Sequence, residues 1–535
     1  MQNTNKLLSI TNLKKYFPIA KSSIFQKEQM YVRANEDISF DIYKGETLGI
    51  VGESGCGKST LGRVILQLYD QTAGTTIYYG RTRAELAPSY VRNTLKNVHK
   101  FIAKYEKKKD HAVDLKKQVK ALGEGATFYQ IQEMNLAMSE AKTAEQHLAK
   151  ILGGFMVRAT DEGAKLLLNE ALLEEKQAKF QLKLDDVSLR LESSEKPVKN
   201  REALEAKKEK LKTQIGDLQV QIDAVTDEIA KLKKSFSDDP EFARFEEMLD
   251  DGIDLARLKY SEMRLLRKDL QIIFQDPYSS LNPRMTIGQI IEEGLVTHKF
   301  FRRGDPQMKD YILEIMRKCG LQDYMMHRYP HQFSGGQRQR ISIARALAVK
   351  PKFVVCDECV SALDVSIQSQ IINLLQDLKE KEGLTYMFIS HDLSVVRYIS
   401  DRICVMYLGN VVEFADADTI FRDPRHPYTV ALLSSIPTTD PESLKKERIL
   451  LEGNIPSPIR PPEGCKFHTR CYMACDICKR VPPQLEEIEP GHFLACHFPN
   501  RKIDENGNYL FELPKMERKN RRVEEPVQVQ TPLQD

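Results

Sequence analysis

Residues 47–60 read TLGIVGESGCGKST, an apolar run followed by a glycine-rich loop. From Gly52 onward the loop fits the pattern G-x-x-x-x-G-K-S/T, and a helical run follows it at residues 61–69. In this strand–loop–helix context, glycines let backbone N–H groups point at phosphate oxygens, and the helix N-terminus adds positive potential. Lys58 can reach terminal phosphates, and the Ser59 hydroxyl can complete a magnesium shell. The predicted phosphate-binding residues are Gly52, Ser54, Gly55, Cys56, Gly57, Lys58, Ser59 and Thr60.

A second apolar run, far downstream, ends in two carboxylates. Residues 353–358 read FVVCDE, which places Asp357 and Glu358 at the end of a predicted buried strand. Ligand-binding groups commonly lie at the carboxyl ends of parallel strands. Asp357 suits magnesium and Glu358 suits a water molecule. Alone, the two acids could simply begin a loop, but together with the upstream loop they predict the second half of one site in an α/β fold.

Composition limits the classes of protein to which the chain can belong. Its 535 residues carry 79 Lys and Arg against 76 Asp and Glu, a formal charge of +3, which argues against a strongly basic nucleic-acid coat protein. The sequence has no apolar run of about 18 residues and no signal-like N-terminus, so we expect a cytoplasmic chain without a membrane span. Its ten cysteines are not expected to form disulfides in that reducing compartment.

Changes in composition divide the chain into five predicted segments. Proline and glycine thin out between residues 83 and 259, where Lys, Glu, Leu, Ala and Gln dominate. We interpret residues 1–82 and 260–432 as two parts of one domain that is interrupted by the helical insertion 83–259. Residues 433–500 form a predicted cysteine-rich extension, and residues 501–535 a largely disordered tail.

Apolar residues in the insertion follow a heptad pattern. One seam runs from Leu173 to Leu191 and another from Leu204 to Leu232, with Pro197 in a predicted turn between them. Two such seams joined by a tight turn predict an antiparallel coiled-coil hairpin. Because the lysines are interleaved with Glu and Asp, we favour a spacer or docking arm over an arm that binds nucleic acid.

Further motifs resemble those of ATP-binding-cassette (ABC) ATPases. Residues 334–340, SGGQRQR, resemble the signature motif of that family and precede the acidic strand. The other matching positions are Gln275 in the glutamine loop, Asp364 in the D-loop, His391 as the switch histidine, and Phe17 or its neighbour Tyr16 where the family stacks an aromatic ring on adenine. The resemblance implies an ABC-type P-loop domain with a RecA-like core, an antiparallel β subdomain and a helical signature subdomain.

The same resemblance implies ATP and Mg²⁺ as ligands and a role for each matching residue. In this family two nucleotide-binding domains close face to face on two ATP molecules, and each lends its signature to its partner's nucleotide. The implied catalytic residues are Glu358, which orients or deprotonates the attacking water, His391 and Gln275; the implied magnesium ligands are Ser59, Gln275 and Asp357; and the implied contacts to the partner's ATP are Ser334, Gly335, Gly336 and Gln337.

Longer stretches resemble the ATPase subunits of oligopeptide and dipeptide permeases. They include QIIFQDPYSSLNPRMTIGQII, YPHQFSGGQRQRISIARAL and RHPYTVALLSSIP. The resemblance implies an ATPase at the cytoplasmic face of the membrane that drives peptide import through two separate membrane permease subunits. It also implies a second, paralogous ATPase, although a homodimer stays open, and an extracellular solute-binding protein. Two features depart from the family: Cys359 stands where proline usually follows the glutamate, and the insertion is additional.

Other functions stay open from the sequence. A cytosolic ABC ATPase that acts on nucleic acid could also carry a long coiled coil. The permease-type extension and the unsegregated basic residues argue against it, so no nucleic-acid partner is expected. Among transporters, the cargo could instead be nickel chelates or glutathione.

Cysteines cluster in the C-terminal extension. Four thiolates that converge in a cytosolic protein commonly bind an iron–sulfur cluster or zinc. The permease resemblance implies a 4Fe–4S cluster, with zinc as the alternative, and makes Cys475 an extra residue. The implied ligands are Cys465, Cys471, Cys478 and Cys496.

Overall fold

The protein is described by a computed structural model that covers residues 5–21, 29–192, 201–436 and 449–498 and two short strands beyond them. The strands are β1 (Lys6–Pro18), β2 (Tyr31–Tyr43), β3 (Thr47–Val51), β4 (Ala73–Tyr78), β5 (Ile253–Asp254), β6 (Leu270–Ile273), β7 (Phe353–Asp357), β8 (Thr385–Ile389), β9 (Arg402–Tyr407), β10 (Asn410–Asp416), β11 (Glu486–Glu489), β12 (His492–Leu494), β13 (Lys502–Ile503) and β14 (Tyr509–Leu510).

The α-helices surround these strands and also form most of segment 83–259. They are α1 (Lys58–Ile65), α2 (Arg83–Leu86), α3 (Ser89–Lys96), α4 (Val98–Leu122), α5 (Phe128–Leu152), α6 (Thr160–Glu192), α7 (Arg201–Lys234), α8 (Pro240–Glu246), α9 (Tyr260–Leu266), α10 (Pro277–Ser280), α11 (Ile287–Thr297), α12 (Pro306–Lys318), α13 (Gly335–Ala348), α14 (Val365–Glu382), α15 (Leu393–Ile399), α16 (Ala417–Arg422), α17 (Pro427–Ser434) and α18 (Asp476–Arg480). Among the described residues, no helix combines the length and the hydropathy needed to cross a membrane.

An eight-stranded sheet forms the centre of the fold, in the order β11-β12-β10-β9-β3-β8-β7-β6. Strands β9, β3, β8, β7 and β6 run parallel, and β10, β12 and β11 continue the sheet in antiparallel pairs. Every residue of β3, β7 and β8 is buried, as expected for parallel strands covered on both faces. The carboxyl ends of these strands therefore meet at one edge, which confirms the predicted α/β core.

A second, antiparallel sheet packs on the same core, in the order β2-β1-β4-β5. Leu8, Ile10 and Leu13 from β1 share a buried cluster with the residues of β3 and α1. Strand β5 pairs with β4, although its residues lie inside the segment 83–259 that the sequence assigns to the insertion. The C-terminal part of segment 83–259 thus belongs to the antiparallel sheet.

Helices α6 and α7 form an antiparallel pair. Gln177 donates a hydrogen bond of 2.7 Å to Gln219, and Thr226 donates one of 2.7 Å to Glu170, so later positions in α7 meet earlier positions in α6. Buried positions of the pair include the predicted seam residues Val187, Leu211, Leu218, Ile222, Val225 and Ile229. The predicted turn at Pro197 lies outside the described residues.

Helix α5, within segment 83–259, packs against the antiparallel sheet. Thr143 in α5 accepts a 2.8 Å hydrogen bond from the backbone N–H of Gly74 in β4. The Phe155 and Phe242 rings meet edge to face at 5.8 Å and close the base of the α6–α7 pair. Segment 83–259 therefore contacts the antiparallel sheet through α5.

The C-terminal extension adds strands to the central sheet. β12 pairs with β10, and His492 on β12 lies 2.9 Å from the buried carboxylate of Glu413. The predicted tail 501–535 lies outside the described residues, apart from the paired strands β13 and β14. The extension thus reaches the same sheet that carries the glycine-rich loop.

Candidate active site

The glycine-rich loop has a backbone that only glycine fits. Gly52, Gly55 and Gly57 have φ values of +147°, +80° and +102°, in a region that side chains disfavour. A Cβ on Gly57 would lie 2.1 Å from the carbonyl oxygen of Ala34, and one on Gly52 would lie 2.2 Å from the carbonyl oxygen of Met406. The loop therefore curls against neighbouring backbone, and it leads directly into α1.

Lys58 begins α1 and folds back over the loop. Its ammonium group donates hydrogen bonds to the carbonyl oxygens of Gly52 at 2.7 Å and Glu53 at 3.0 Å, and the residue is 4% exposed. Ser54 and Gly55 at the tip of the loop are exposed, whereas Cys56 is buried. Ser59 and Thr60, on the first turn of α1, are partly exposed. The ammonium group of Lys58 is thus held at the loop.

Asp357 ends β7 and is buried beside this loop. Its Oδ2 lies 3.3 Å from the guanidinium of Arg63 on α1, a contact that the sequence analysis missed. Its Oδ1 is buried and has no hydrogen-bond partner within the described part of the chain. An unpartnered buried carboxylate oxygen is costly unless a cation binds it. With Ser59 on the adjoining helix, this donor set fits Mg²⁺, a hard ion that prefers oxygen ligands.

Two side chains that follow neighbouring strands contact the carboxylate of Glu358. Gln275, after β6, donates a 2.8 Å hydrogen bond to Oε2 of Glu358, and Nδ1 of His391, after β8, lies 3.5 Å from the same oxygen. Glu358 has a φ of +48°, a left-handed conformation that is uncommon for a residue with a side chain. Strain of this kind concentrates at functional sites. The structure therefore brings together the three residues predicted to be catalytic.

The predicted signature residues cap helix α13. The Ser334 hydroxyl accepts a hydrogen bond from the backbone N–H of Gln337 at 3.4 Å, and the Gln337 side chain accepts one from the Ser334 N–H at 3.1 Å. A Cβ on Gly336 would lie 2.4 Å from the side chain of Ile367, whereas one on Gly335 would only make ordinary contact, at 3.6 Å, with the side chain of Leu363. These residues lie at the N-terminus of α13, and a helix N-terminus is suited to bind an anion.

Two other predicted positions lie on neighbouring surfaces of the core. Asp364 caps α14 by accepting a hydrogen bond from the N–H of Ile367 at 3.0 Å. Phe17 is partly exposed, whereas Tyr16 is buried and its hydroxyl donates a 2.5 Å hydrogen bond to Glu36. Of the two aromatic candidates, Phe17 is therefore the more exposed, although the Lys15 ammonium group lies 4.7 Å from its ring centre and the Tyr69 ring packs against it at 5.5 Å.

Cys359, the departure from the family pattern, is a buried residue. It is 2% exposed, and its thiol interacts with that of Cys356, which is fully buried at the end of β7. This hydrogen bond, together with burial, raises the pKa of Cys356. Cys359 therefore packs in the buried core directly after Glu358.

The four predicted cysteine ligands line one apolar pocket. Cys465, Cys471, Cys478 and Cys496 face it together with Phe467, Met473 and Phe498, whereas Cys475 is not part of its lining. Burial raises the pKa of the Cys471 thiol. In the described ranges, no group of three or more His, Cys, Asp or Glu side chains is arranged to hold a metal ion. The pocket gathers the thiols but does not form a ligand cage.

Comparison of the sequence with known proteins assigns the chain to a family. Residues 35–189 and 243–361 match the family described as ABC transporter, and residues 412–478 match the oligopeptide/dipeptide transporter C-terminal region. The chain belongs to the ABC transporter ATPases. It is 34% identical, over 92% of its length and 98% of the relative's, to the oligopeptide transport ATP-binding protein AppF of Bacillus subtilis.

Other relatives of this ABC ATPase match about half of the chain at higher identity. The putative oligopeptide transport ATP-binding protein YkfD of Bacillus subtilis is 53% identical over 46% of the chain and 75% of the relative. A putative peptide import ATP-binding protein of Brucella ovis is 52% identical over 47% of the chain and 78% of the relative. Membership of this family makes the chain an ATP-hydrolysing subunit, for which ATP and Mg²⁺ are the expected ligands.

Proposed function

We propose that this ABC ATPase drives the import of oligopeptides or dipeptides through separate membrane permease subunits. The observation that carries the proposal is the C-terminal region match at residues 412–478, in a chain whose relatives are named for peptide transport. In this proposal the chain sits at the cytoplasmic face of the membrane. It pairs with a paralogous ATPase and receives cargo from an extracellular solute-binding protein.

The proposed chemistry assigns one task to each group around the loop. The loop N–H groups and Lys58 would bind the phosphates, and Phe17 would stack on adenine. Ser59, Asp357 and Gln275 would hold Mg²⁺, which would supply positive charge against the phosphates. Glu358 orients or deprotonates the attacking water, and His391 holds the γ-phosphate side. Phosphoryl transfer depends mostly on such positioning and charge stabilisation.

The proposed site is completed by a second ATPase. Residues 334–337 and Asp364 would contact the nucleotide that is bound at the partner's loop. In this contact the N-terminus of α13 would serve as an anion-binding site. The arrangement explains why one chain carries both a phosphate loop and a signature.

The chemical class of the cargo can be tested by measuring the ATP turnover of the assembled complex. ATP turnover by the purified complex in vesicles, with its solute-binding protein present, is expected to rise when oligopeptides or dipeptides are added. Stimulation by nickel chelates or glutathione, but not by peptides, would contradict peptide import. Failure of any ABC-type cargo to stimulate turnover would contradict the transport role itself.

We further propose the domain division given above, with an antiparallel coiled coil as the distal part of insertion 83–259. The hydrogen bond between Gln177 and Gln219 marks two positions that lie side by side. Replacing residues 178–218 with a short Gly-Ser linker therefore shortens the hairpin without moving its base. ATP turnover of the complex is expected to stay unchanged, because the base keeps its packing. A large loss of ATP turnover would make the hairpin part of the ATPase machinery.

We also propose that Cys465, Cys471, Cys478 and Cys496 bind a 4Fe–4S cluster that ties down the extension. The support is the donor chemistry of a pocket lined by four thiols, three histidines (His426, His468 and His497) and apolar side chains, not a formed cage. Anaerobically purified protein is expected to contain iron and acid-labile sulfide and to absorb near ~400 nm. Cys478→Ser should lose this absorbance, and the matched Cys475→Ser should keep it. Stoichiometric zinc without iron, or no metal at all, would contradict the cluster.

A further inference from the structure

Two residues from the C-terminal part of the chain, Tyr428 and Arg470, form hydrogen bonds to Glu53 in the glycine-rich loop, which is called the phosphate loop below. The backbone N–H of Glu53 donates a 2.8 Å hydrogen bond to the hydroxyl of Tyr428 on α17. The guanidinium of Arg470 donates to both oxygens of the Glu53 carboxylate, at 2.7 Å and 3.0 Å. Paired, planar hydrogen bonds of this kind fix position as well as charge. The Arg470 side chain is 6% exposed, so water competes little for it.

This ion pair lies next to the groups that bind phosphate. Glu53 follows Gly52 in the loop, and its carbonyl oxygen accepts a 3.0 Å hydrogen bond from Lys58. A free carboxylate at this position would repel the phosphates of a nucleotide. Arg470 removes that repulsion by pairing with the Glu53 carboxylate. Sequence motifs give no sign of the pair because its residues are 417 positions apart.

The cysteine pocket fixes the place of Arg470. The Arg470 backbone N–H donates a 3.0 Å hydrogen bond to the carbonyl of Phe467, in the turn between Cys465 and Cys471. Phe467 is 1% exposed and packs against the rings of Tyr428 and Tyr407, with centroids 5.4 Å and 5.1 Å away. The same Phe467 lines the cysteine pocket. Packing therefore continues from the pocket to the loop.

We propose that Arg470 is a positioning residue for ATP binding, set in place by the cysteine pocket and acting through Glu53. It holds the loop in its phosphate-binding shape and neutralises the Glu53 carboxylate. The inference rests on the proposed ATP site at this loop, and it gives the C-terminal extension a task in nucleotide binding.

The test measures the dissociation constant of the full-length chain for a fluorescent ATP analogue. Arg470→Gln is expected to weaken binding about tenfold, the scale of one charge-assisted hydrogen-bonded pair. Glu53→Gln combined with Arg470→Gln is expected to recover most of that loss, because the repelling carboxylate is gone. If the effects of the two substitutions on the dissociation constant are non-additive in this way, the double-mutant cycle indicates direct coupling between Arg470 and Glu53.

Arg402→Gln is the matched control. Arg402 also forms a bidentate pair, at 2.6 Å and 3.1 Å, but with Glu46, before the start of β3 and so at the end opposite the loop. It is expected to lower the melting temperature and to leave the dissociation constant unchanged. If Arg470→Gln melts below this control, Arg470→Lys replaces it; that variant keeps the charge and is expected to bind with intermediate affinity.

The outcomes separate the inference from the proposed site. If the parent chain does not bind the analogue, the proposed ATP site is wrong. If the parent binds it, Lys58→Ala does not, and Arg470→Gln binds like the parent, only the present inference is overturned. An additive double mutant would also overturn it. Cys471→Ser is expected to weaken binding in the parent but not further in Arg470→Gln; no effect in the parent would overturn the role given to the cysteine pocket.

Discussion

In the assembled complex, Glu358→Gln is expected to bind ATP normally and to hydrolyse it about 10²–10⁴ times more slowly, the usual scale for the loss of a general base. The amide keeps the shape of the side chain and a hydrogen bond to Gln275, so the site should stay folded. It cannot accept a proton from water. Single-turnover phosphate release and ATP binding, measured on the same preparation, separate the two effects.

Glu380→Gln is the matched control for that variant, since Glu380 is an exposed carboxylate on α14. Its turnover should equal that of the parent complex. Near-normal hydrolysis by Glu358→Gln would mean that another group activates the water. Loss of ATP binding as well would mean that the Gln275–Glu358–His391 cluster supports the nucleotide site structurally.

Lys58→Ala is expected to weaken ATP binding by about 10²-fold, because more than one charge-assisted contact to phosphate is lost at about 1.5–3 kcal/mol each. Its ammonium group is already positioned at the loop by the Gly52 and Glu53 carbonyls, so little reorganisation is needed when phosphate binds. Equilibrium binding of a fluorescent ATP analogue measures the loss.

The exposed Lys381 on α14, which forms a surface ion pair with Asp377, supplies the control Lys381→Ala. Surface pairs of this kind contribute little to stability, so affinity should not change. An unchanged dissociation constant for Lys58→Ala, in protein with a parent-like melting temperature, would remove Lys58 from the site.

Local patterns made the core of the site predictable. The loop from Gly52 to Lys58 is short, and its glycines are required by backbone geometry that the sequence pattern encodes. Glu358 and His391 follow buried apolar strands, and parallel strands bring their carboxyl ends to one edge of the sheet. Strand type and strand ending were enough to predict the place of Glu358, whereas His391 was predicted only from the resemblance to ABC ATPases.

Contacts between distant segments were not predictable in the same way. Arg470 reaches Glu53, and Arg63 reaches Asp357, only because the fold brings separate segments together. Strand β5 has two residues and no periodicity that marks it as part of a sheet. Such features depend on tertiary packing, which overrides local propensity.

The central claim is that ATP bound at the loop of Lys58 drives a membrane pathway for peptides. The most direct measurement is ATP-dependent uptake of a labelled peptide into vesicles that contain the complete complex. The account predicts accumulation with the parent chain and none with Lys58→Ala, although both complexes assemble. Vesicles that fill equally well with either chain would contradict it.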